Sequence, residues 1–250
     1  MAAPEWFGQN MTVSEPRRAG AGAVTLAVLL GAVLGVGAHS LLPAAGTTGS
    51  VAPPAPVAEV AGRVLDRDAT MRVEAVGCGE QRSATATVVG PPGAEVVLTN
   101  AHVARGAGTV QVHHDDGSVG TATVVGSVAG RDAAVLRLDD ESVSPASPPA
   151  ARAPAEAGDE VVVIGYPGGT RVELTARVRT SELRSGYGGT AQVLLIDAPA
   201  EGGLSGGTVV DADTGDVVGL VAARDPATGD AVAYPIGEVL GRTLGPVPGC

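Results

Sequence analysis

Short apolar runs separated by turn residues extend from about residue 83 to residue 236, and this pattern limits the possible folds more than any other feature. Runs of this length, rich in Val and Thr and bounded by Gly, Pro and Asp, are typical of β-strands. They do not alternate with long helical segments, which disfavours a doubly wound sheet and favours an all-β fold. Only residues 236–244 suggest a short helix. The runs are SATATVV (83–89), AEVVLTN (94–100), GTVQVHH (108–114), VGTATVVGSV (119–128), AAVLRL (133–138), EVVVIGYP (160–167), TRVELTARVRTSEL (170–183), AQVLLIDAP (191–199), GTVVDA (207–212), DVVGLVAA (216–223) and DAVAYPI (230–236).

A second feature is the break at residues 139–160, which is rich in Pro, Ser, Ala and charge. It divides the runs into two groups of similar length, so we expect two sandwiched or barrel-like β units. The first unit covers about residues 60–145 and the second about residues 158–250. Aromatic residues make up only 2% of the chain, so the cores must consist of Val, Leu, Ile and Ala.

The amino-terminal region predicts export. A polar tail, residues 1–18, ends in Arg17 and Arg18, and residues 19–38 are apolar and uncharged. About 20 apolar residues can cross a bilayer, and basic residues on the amino side favour keeping that side in the cytoplasm. We expect a hydrophobic helix within 19–42, as either a retained transmembrane anchor or a cleaved signal peptide. A Pro/Ala-rich linker (43–59) and the folded domain (60–250) would then lie outside the cytoplasm, anchored to the membrane or secreted.

Charge and composition limit the classes of molecule that the chain is expected to bind and indicate its source. The formal net charge of -11 argues against nucleic acid, because phosphate binding requires a basic surface. All 16 basic residues are Arg, a bias from which we infer a bacterial source with a G+C-rich genome.

The two cysteines, Cys78 and Cys250, lie far apart in the sequence. In an oxidising compartment they are expected to pair, and the alternative is two unpaired thiols. Closing so long a loop would contribute about 4 to 5 kcal/mol, with strain able to remove much of it.

Three segments carry residues suited to nucleophilic catalysis. Ser205 lies in EGGLSGG, where glycines permit a tight turn with amide groups available to a developing oxyanion. His102 follows an apolar strand in VVLTNAHVARG, where a rigid element can hold a base. Asp132 begins a strand in GRDAAVLRL and can orient an imidazole. Considered alone, each of these three residues is also compatible with a purely structural role.

Together, TNAHV, DAAVLRL and GGLSGG resemble the His, Asp and Ser motifs of trypsin-like serine peptidases, in that order. The flanking VVVIGYPGG and LIDAPAEGGLSGG are similar to bacterial HtrA-type and membrane-anchored periplasmic peptidases. The resemblance covers roughly residues 75–240. It implies two six-stranded β-barrels meeting at a cleft, a triad of His102, Asp132 and Ser205, and an oxyanion hole formed by the backbone N–H groups of Gly203 and Ser205.

The activity implied is that of an extracytoplasmic serine endopeptidase acting on protein or peptide substrates, with no metal or organic cofactor. The chain departs from the family pattern at Leu204, where Asp or Asn is usual, and at Thr208, where Pro is usual. Family members with Asp at this position can be activated when its carboxylate pairs with a newly cut amino terminus. Leu204 has no carboxylate, so this route is ruled out. These departures leave an alternative open, namely an inactive or latent domain that acts as an extracytoplasmic binding or scaffold protein.

Two sequence patterns suggest other functions. The G-x-S-x-G pattern around Ser205 also fits an α/β-hydrolase, but that fold needs a helix after the serine and a later histidine, and no histidine follows Ser205. His113, His114, Asp115 and Asp116 suggest metal binding, but neighbouring residues of a strand point to opposite faces. We expect a solvated hairpin end there. A Cys78–Cys250 link could also act as a redox control.

Overall fold

Six antiparallel strands close the first barrel. The computed structural model describes residues 69–90, 95–139, 151, 155–186 and 189–250. The strands lie in the order β5-β4-β1-β2-β3-β6, and a pairing between β5 and β6 closes the ring. Their bounds are β1 Thr70–Gly77, β2 Glu80–Val89, β3 Val96–Thr99, β4 Thr109–His113, β5 Val119–Val128 and β6 Ala134–Leu138.

Six further antiparallel strands close the second barrel, in the order β10-β11-β12-β9-β8-β7 with β7 paired to β10. The predicted all-β fold with two six-stranded barrels is therefore confirmed. The bounds are β7 Glu160–Gly165, β8 Val172–Gly186, β9 Gly189–Pro199, β10 Thr208–Asp211, β11 Val217–Arg224 and β12 Asp230–Pro235.

The cores are aliphatic, as the low aromatic content requires. Each barrel has a buried cluster of its own, with Met71, Val73 and Val112 in the first and Val163 and Ile196 in the second. Burial of apolar side chains contributes roughly 25 cal/mol per Å², which makes these clusters the main source of stability. A third cluster contains side chains from both barrels, including Val89, Leu98, Val128, Ile164, Leu220 and Tyr234. This shared cluster holds the two barrels against each other.

Buried threonines add hydrogen bonds across the same junction. The hydroxyl of Thr208, in the second barrel, lies 2.8 Å from the Thr70 hydroxyl and 2.7 Å from the Thr87 hydroxyl, both in the first barrel. A buried hydroxyl without a partner is costly, so these contacts favour one relative placement of the barrels.

The carboxyl terminus returns to the first barrel. Strand β13, Leu244–Gly245, pairs with β5. The last residue, Cys250, forms a disulfide with Cys78, and the two Cα atoms lie 5.3 Å apart. Both features tie the end of the chain to the barrel that contains its first strands.

The structure differs from expectation in its helices. Residues 236–244, expected to be helical, form only a 3₁₀ turn, Ile236–Glu238, before β13 begins. A helix that was not expected, α1, spans Ala101–Ala104. The tail, hydrophobic helix and linker predicted for residues 1–59 lie outside the described residues. Within the described ranges, none of the helices has the length and apolar character needed to cross a bilayer.

Candidate active site

The structure brings His102 and Asp132 into direct contact. The Nδ1 atom of His102 lies 2.6 Å from Oδ2 of Asp132, and the backbone N–H of His102 donates to Oδ1 at 2.9 Å. Asp132 has a side chain only 4% exposed, whereas that of His102 is 42% exposed. A carboxylate bound to Nδ1 fixes the proton there, so Nε2 is left with a lone pair that can accept a proton.

His102 follows an apolar strand, as expected, but it lies on a single helical turn, α1, that the sequence did not indicate. The strand β3 ends at Thr99, and Asn100 precedes α1. The buried Asn100 side chain donates from Nδ2 to the Asp132 carbonyl at 2.6 Å. This bond links the start of the helix to the loop that carries the acid.

Ser205 lies in the loop between β9 and β10, and this loop packs against the elements that precede His102. The carbonyl of Ser205 accepts a hydrogen bond from the Thr85 N–H at 2.9 Å. A Cβ atom on Gly206 would lie 2.1 Å from the Thr85 carbonyl oxygen and 3.1 Å from the Cα of Thr99. Because Gly206 also has φ of +79°, only glycine allows this close approach.

No hydrogen bond joins Ser205 to His102 in the described part of the chain. The structure therefore brings His102 together with Asp132, and brings the Ser205 loop against the end of β3. In free enzymes the bond between nucleophile and base is often long, and it shortens when substrate binds.

The peptide groups before Ser205 are held in one orientation. The carbonyl of Gly202 accepts from the Gly168 N–H at 2.9 Å, and that of Leu204 accepts from the Gly207 N–H at 2.8 Å. Between them, the Gly203 carbonyl accepts from the Thr85 hydroxyl at 2.8 Å.

These contacts leave two amide groups available. Among the described residues, neither the Gly203 N–H nor the Ser205 N–H donates to a protein acceptor. Two N–H groups separated by one residue and without internal acceptors can together bind an oxyanion. Gly203 has φ of +102°, and a Cβ atom there would lie 2.4 Å from the Tyr166 carbonyl oxygen. Glycine is therefore required at this position.

Leu204 is an apolar anchor for the loop. Its side chain is 1% exposed and belongs to the core cluster of the second barrel. Its Cδ1 would lie 2.8 Å from a Cβ atom on Gly165, so a larger residue on the neighbouring strand would have to displace the Leu204 side chain. Burial of Leu204 thus provides a fixed attachment where the family pattern has a polar residue.

Two tyrosines that the sequence analysis did not single out support the site. The Tyr166 hydroxyl lies 2.6 Å from Oδ1 of Asp115, and the Tyr166 N–H donates to the Thr85 hydroxyl at 3.0 Å. Burial, together with the Asp115 contact, raises the pKa of Tyr166 to about 12, so its hydroxyl stays protonated near neutral pH. The other residue, Tyr234, reaches the backbone of Asp132. Both contacts span long sequence separations that no local pattern indicates.

The hairpin end expected at residues 113–116 is present between β4 and β5, and Asp115 and Asp116 are exposed, but the two histidines are not solvated as expected. His114 is buried, and His113 lies 3.7 Å from the Glu74 carboxylate. Both line a cavity of about 390 Å³ next to Tyr166 and Arg171. Within the described residues there is no group of three or more His, Cys, Asp or Glu side chains placed to hold a metal ion.

Comparison with known proteins adds independent evidence. A family model described as Trypsin-like peptidase domain matches residues 84–220. Serine protease Rv3671c of Mycobacterium tuberculosis is 37% identical over 180 residues, which cover 66% of this chain and 42% of that protein. The Do-like serine protease HtrA of Bacillus subtilis is 30% identical over 158 residues, covering 59% and 35% respectively. The chain therefore spans less than half the length of these relatives.

The similarity extends to three-dimensional structure. The crystal structure of the active form of the Rv3671c protease from M. tuberculosis is similar to this chain with a TM-score of 0.63 and 28% sequence identity. The match covers 84% of this chain and 97% of that one.

Proposed function

The chain belongs to the trypsin-like peptidase family, whose model matches more than half of its residues, and we propose that it is a serine endopeptidase. Ser205 is the nucleophile, His102 the general base and Asp132 the orienting acid. One observation carries this proposal: a buried carboxylate holds His102 through Nδ1, and the nearby Ser205 loop has two amide groups without internal acceptors. No organic cofactor is needed for this chemistry.

The proposed mechanism has two stages. Nε2 of His102 takes the proton of the Ser205 hydroxyl as the serine oxygen attacks the scissile carbonyl, and the protonated imidazole then delivers that proton to the leaving amine. Water repeats the sequence on the acyl-enzyme and regenerates Ser205. Asp132 stabilises the imidazolium without taking up its proton.

The oxyanion of each tetrahedral intermediate is bound by the N–H groups of Gly203 and Ser205. Loss of one such donor costs about 100- to 1,000-fold in kcat, which corresponds to roughly 3 to 4 kcal/mol. The fixed carbonyls of Gly202, Gly203 and Leu204 support this role, because a loop that is already oriented needs no rearrangement during the reaction.

The proposed substrates are proteins or peptides with a small or medium aliphatic side chain before the scissile bond. The family places the second strand after the nucleophile beside the primary pocket, and in this chain that strand is β11, which includes Val221, Ala222 and Ala223. These side chains are small and apolar, and the pocket strand carries no acid that would select a basic side chain. Apolar pockets discriminate by size with modest energies, about 1 to 3 kcal/mol per methylene.

We place the peptidase outside the cytoplasm, either anchored by residues 19–42 or released after their removal. The uncharged apolar stretch after Arg17 and Arg18 supports export. The Cys78–Cys250 disulfide supports the same location, because such bonds persist in oxidising compartments.

The alternative, an inactive or latent domain that acts as a binding or scaffold protein, depends on Leu204 leaving the oxyanion loop relaxed. Burial of Leu204 weakens it, since this residue anchors the oxyanion loop instead of leaving it loose. No observation on the described residues favours a scaffold.

Hydrolysis of fluorogenic peptides by the full chain tests the proposal. A series with Ala, Val, Leu, Phe, Arg or Asp before the scissile bond should be cleaved at Ala, Val or Leu and not at Arg or Asp. Ser205→Ala should abolish cleavage. Ser83→Ala is the matched control, because the Ser83 hydroxyl is buried without a hydrogen-bond partner among the described residues and its loss should leave activity unchanged. Cleavage that persists in Ser205→Ala would contradict the proposal.

A further inference from the structure

Thr85 is a fully buried residue of β2 whose polar atoms all form hydrogen bonds to parts of the proposed site. Its hydroxyl donates to the Gly203 carbonyl at 2.8 Å and accepts from the Tyr166 N–H at 3.0 Å. Its backbone N–H donates to the Ser205 carbonyl at 2.9 Å, and its carbonyl accepts from the Thr99 hydroxyl at 2.7 Å.

The partners of Thr85 come from separate elements. Thr99 ends β3, directly before the turn that carries His102, whereas Gly203 and Ser205 belong to the loop of the nucleophile. Tyr166 precedes the 3₁₀ turn Pro167–Gly169 of the second barrel. A single residue of the first barrel thus connects the base, the nucleophile and the oxyanion loop.

The hydroxyl of Thr85 acts on the oxyanion loop from two sides. It holds the Gly203 carbonyl directly, and this fixes the plane of the peptide that follows Gly203. Through Tyr166 it also positions the turn whose Gly168 N–H binds the Gly202 carbonyl, and this fixes the plane of the peptide that contains the Gly203 N–H. Without the hydroxyl, the buried Tyr166 N–H and Gly203 carbonyl would each lose a hydrogen-bond partner. Because an unpaired buried polar group is costly, the oxyanion loop would be expected to rearrange.

We propose that Thr85 is a positioning residue that sets the oxyanion loop of the second barrel from the first barrel. This inference rests on the proposed peptidase function. Thr85 does not touch substrate or the reacting atoms. It acts by keeping the Gly203 and Ser205 N–H groups directed at the site, and so its effect belongs to the transition state rather than to substrate binding.

The kinetic test compares variants at Thr85. Thr85→Val keeps the shape of the side chain and removes the hydroxyl, whereas Thr85→Ser keeps the hydroxyl. We expect Thr85→Val to lower kcat by about 100-fold, as for loss of an oxyanion donor, with little change in KM. Thr85→Ser should retain most of the activity. The control is Ser83→Ala, which removes a hydroxyl of the same strand that has no hydrogen-bond partner among the described residues.

A second pair of variants tests the same hydrogen bonds if Thr85→Val does not fold. Thr85→Ala and Thr85→Ser both remove the methyl group and differ only by the hydroxyl, so the ratio of their kcat values isolates the hydrogen bonds. A ratio near one, or wild-type kcat in Thr85→Val, would overturn the proposal.

Hydrogen–deuterium exchange of the full chain gives a readout that does not depend on activity. Thr85→Val should speed exchange in segments 166–169 and 202–207, because the Tyr166, Gly168 and Gly207 amides lose protection. Ser83→Ala should leave these segments unchanged. Unaltered exchange in Thr85→Val would reject the positioning role. If the wild type cleaves no peptide at all, the proposed function fails, and the exchange result still decides whether Thr85 holds the loop.

Discussion

The backbone N–H of Asp132 donates to the hydroxyl of Tyr234 at 3.3 Å, and this contact joins the proposed catalytic acid to a strand of the opposite barrel. Tyr234 is almost fully buried in β12. Burial raises the pKa of its phenol above the ordinary range, so the hydroxyl remains neutral. The guanidinium of Arg131 lies over the Tyr234 ring, 5.8 Å from its centre, and forms an ion pair with Glu238. The Asp132 loop is thus held from both barrels.

Tyr234→Phe should lower both stability and activity. The variant keeps the ring under Arg131 but leaves the buried Asp132 N–H without its acceptor, which costs about 1 to 3 kcal/mol. We expect the free energy of unfolding to fall by that amount and kcat to fall because the acid is less firmly placed. Denaturant unfolding and peptide hydrolysis measure the two effects. Unfolding and kcat that both match the wild type would show that the contact has no role.

Asp132→Asn should leave the fold intact and reduce kcat by about 10,000-fold, because an amide cannot hold the proton on Nδ1 of His102. Circular dichroism checks the fold and peptide hydrolysis checks the rate. Asp139→Asn is the control: Asp139 is exposed and accepts hydrogen bonds from Thr121 and Thr123, away from His102. Equal rates in the two variants would remove Asp132 from the mechanism.

Reduction of the Cys78–Cys250 disulfide should weaken activity as well as stability. The disulfide closes a separation of 172 residues, so the chain-entropy estimate of its contribution is about 5 kcal/mol, less any strain. Its sulfur atoms lie against Gly106, where a Cβ atom would be 2.6 Å from one and 2.8 Å from the other. Because Gly106 closely follows α1, loosening this contact should disturb the turn that carries His102. Unchanged hydrolysis in dithiothreitol would exclude redox control.

Asp225 should stabilise the folded protein near neutral pH and lose this effect in acid. Burial would raise the pKa of Asp225, but hydrogen bonds from Arg184 and from the Thr228 and Ala227 N–H groups outweigh it and lower the pKa below its ordinary value. A group whose pKa is lower in the folded state stabilises the protein above its unfolded pKa, about 3.9, and loses this effect as pH falls through the folded value.

Asp225→Asn should therefore lower Tm near pH 7, and the difference from the wild type should shrink as pH falls below about 4. Thermal unfolding measured at several pH values tests this. Asp213→Asn, at an exposed turn, is the control and should follow the wild type at every pH. A difference in Tm that is independent of pH would contradict the assignment.

Local sequence patterns predicted most of the strands, because strands have a period that is visible within a few residues, whereas the six-stranded barrels were implied by the resemblance to trypsin-like peptidases. The run at 83–89 lies within β2, Glu80–Val89, and the run at 160–167 contains β7, Glu160–Gly165. The same reasoning predicted the strand before His102 but not the helix that carries it, since a single helical turn such as α1 has too few residues to show a helical period.

Contacts between distant segments could not be predicted in this way. The Thr85–Gly203 bond spans 118 residues and the Asp132–Tyr234 bond spans 102. Thr and Tyr at these positions look like ordinary strand residues, because their hydroxyl partners are set by how the barrels pack. Leu204 shows the same limit: it departs from the family pattern in the sequence, and only its burial shows how the loop is held.

The most direct test of the account is the reaction of the full chain with a fluorophosphonate probe, followed by mass spectrometry of the intact protein and of its peptides. We predict one phosphonyl adduct per chain, mapped to Ser205, with labelling that is lost in Ser205→Ala and greatly slowed in His102→Ala. An adduct on a different residue, or no adduct on the folded wild-type protein, would contradict the claim that His102 activates Ser205 as a nucleophile.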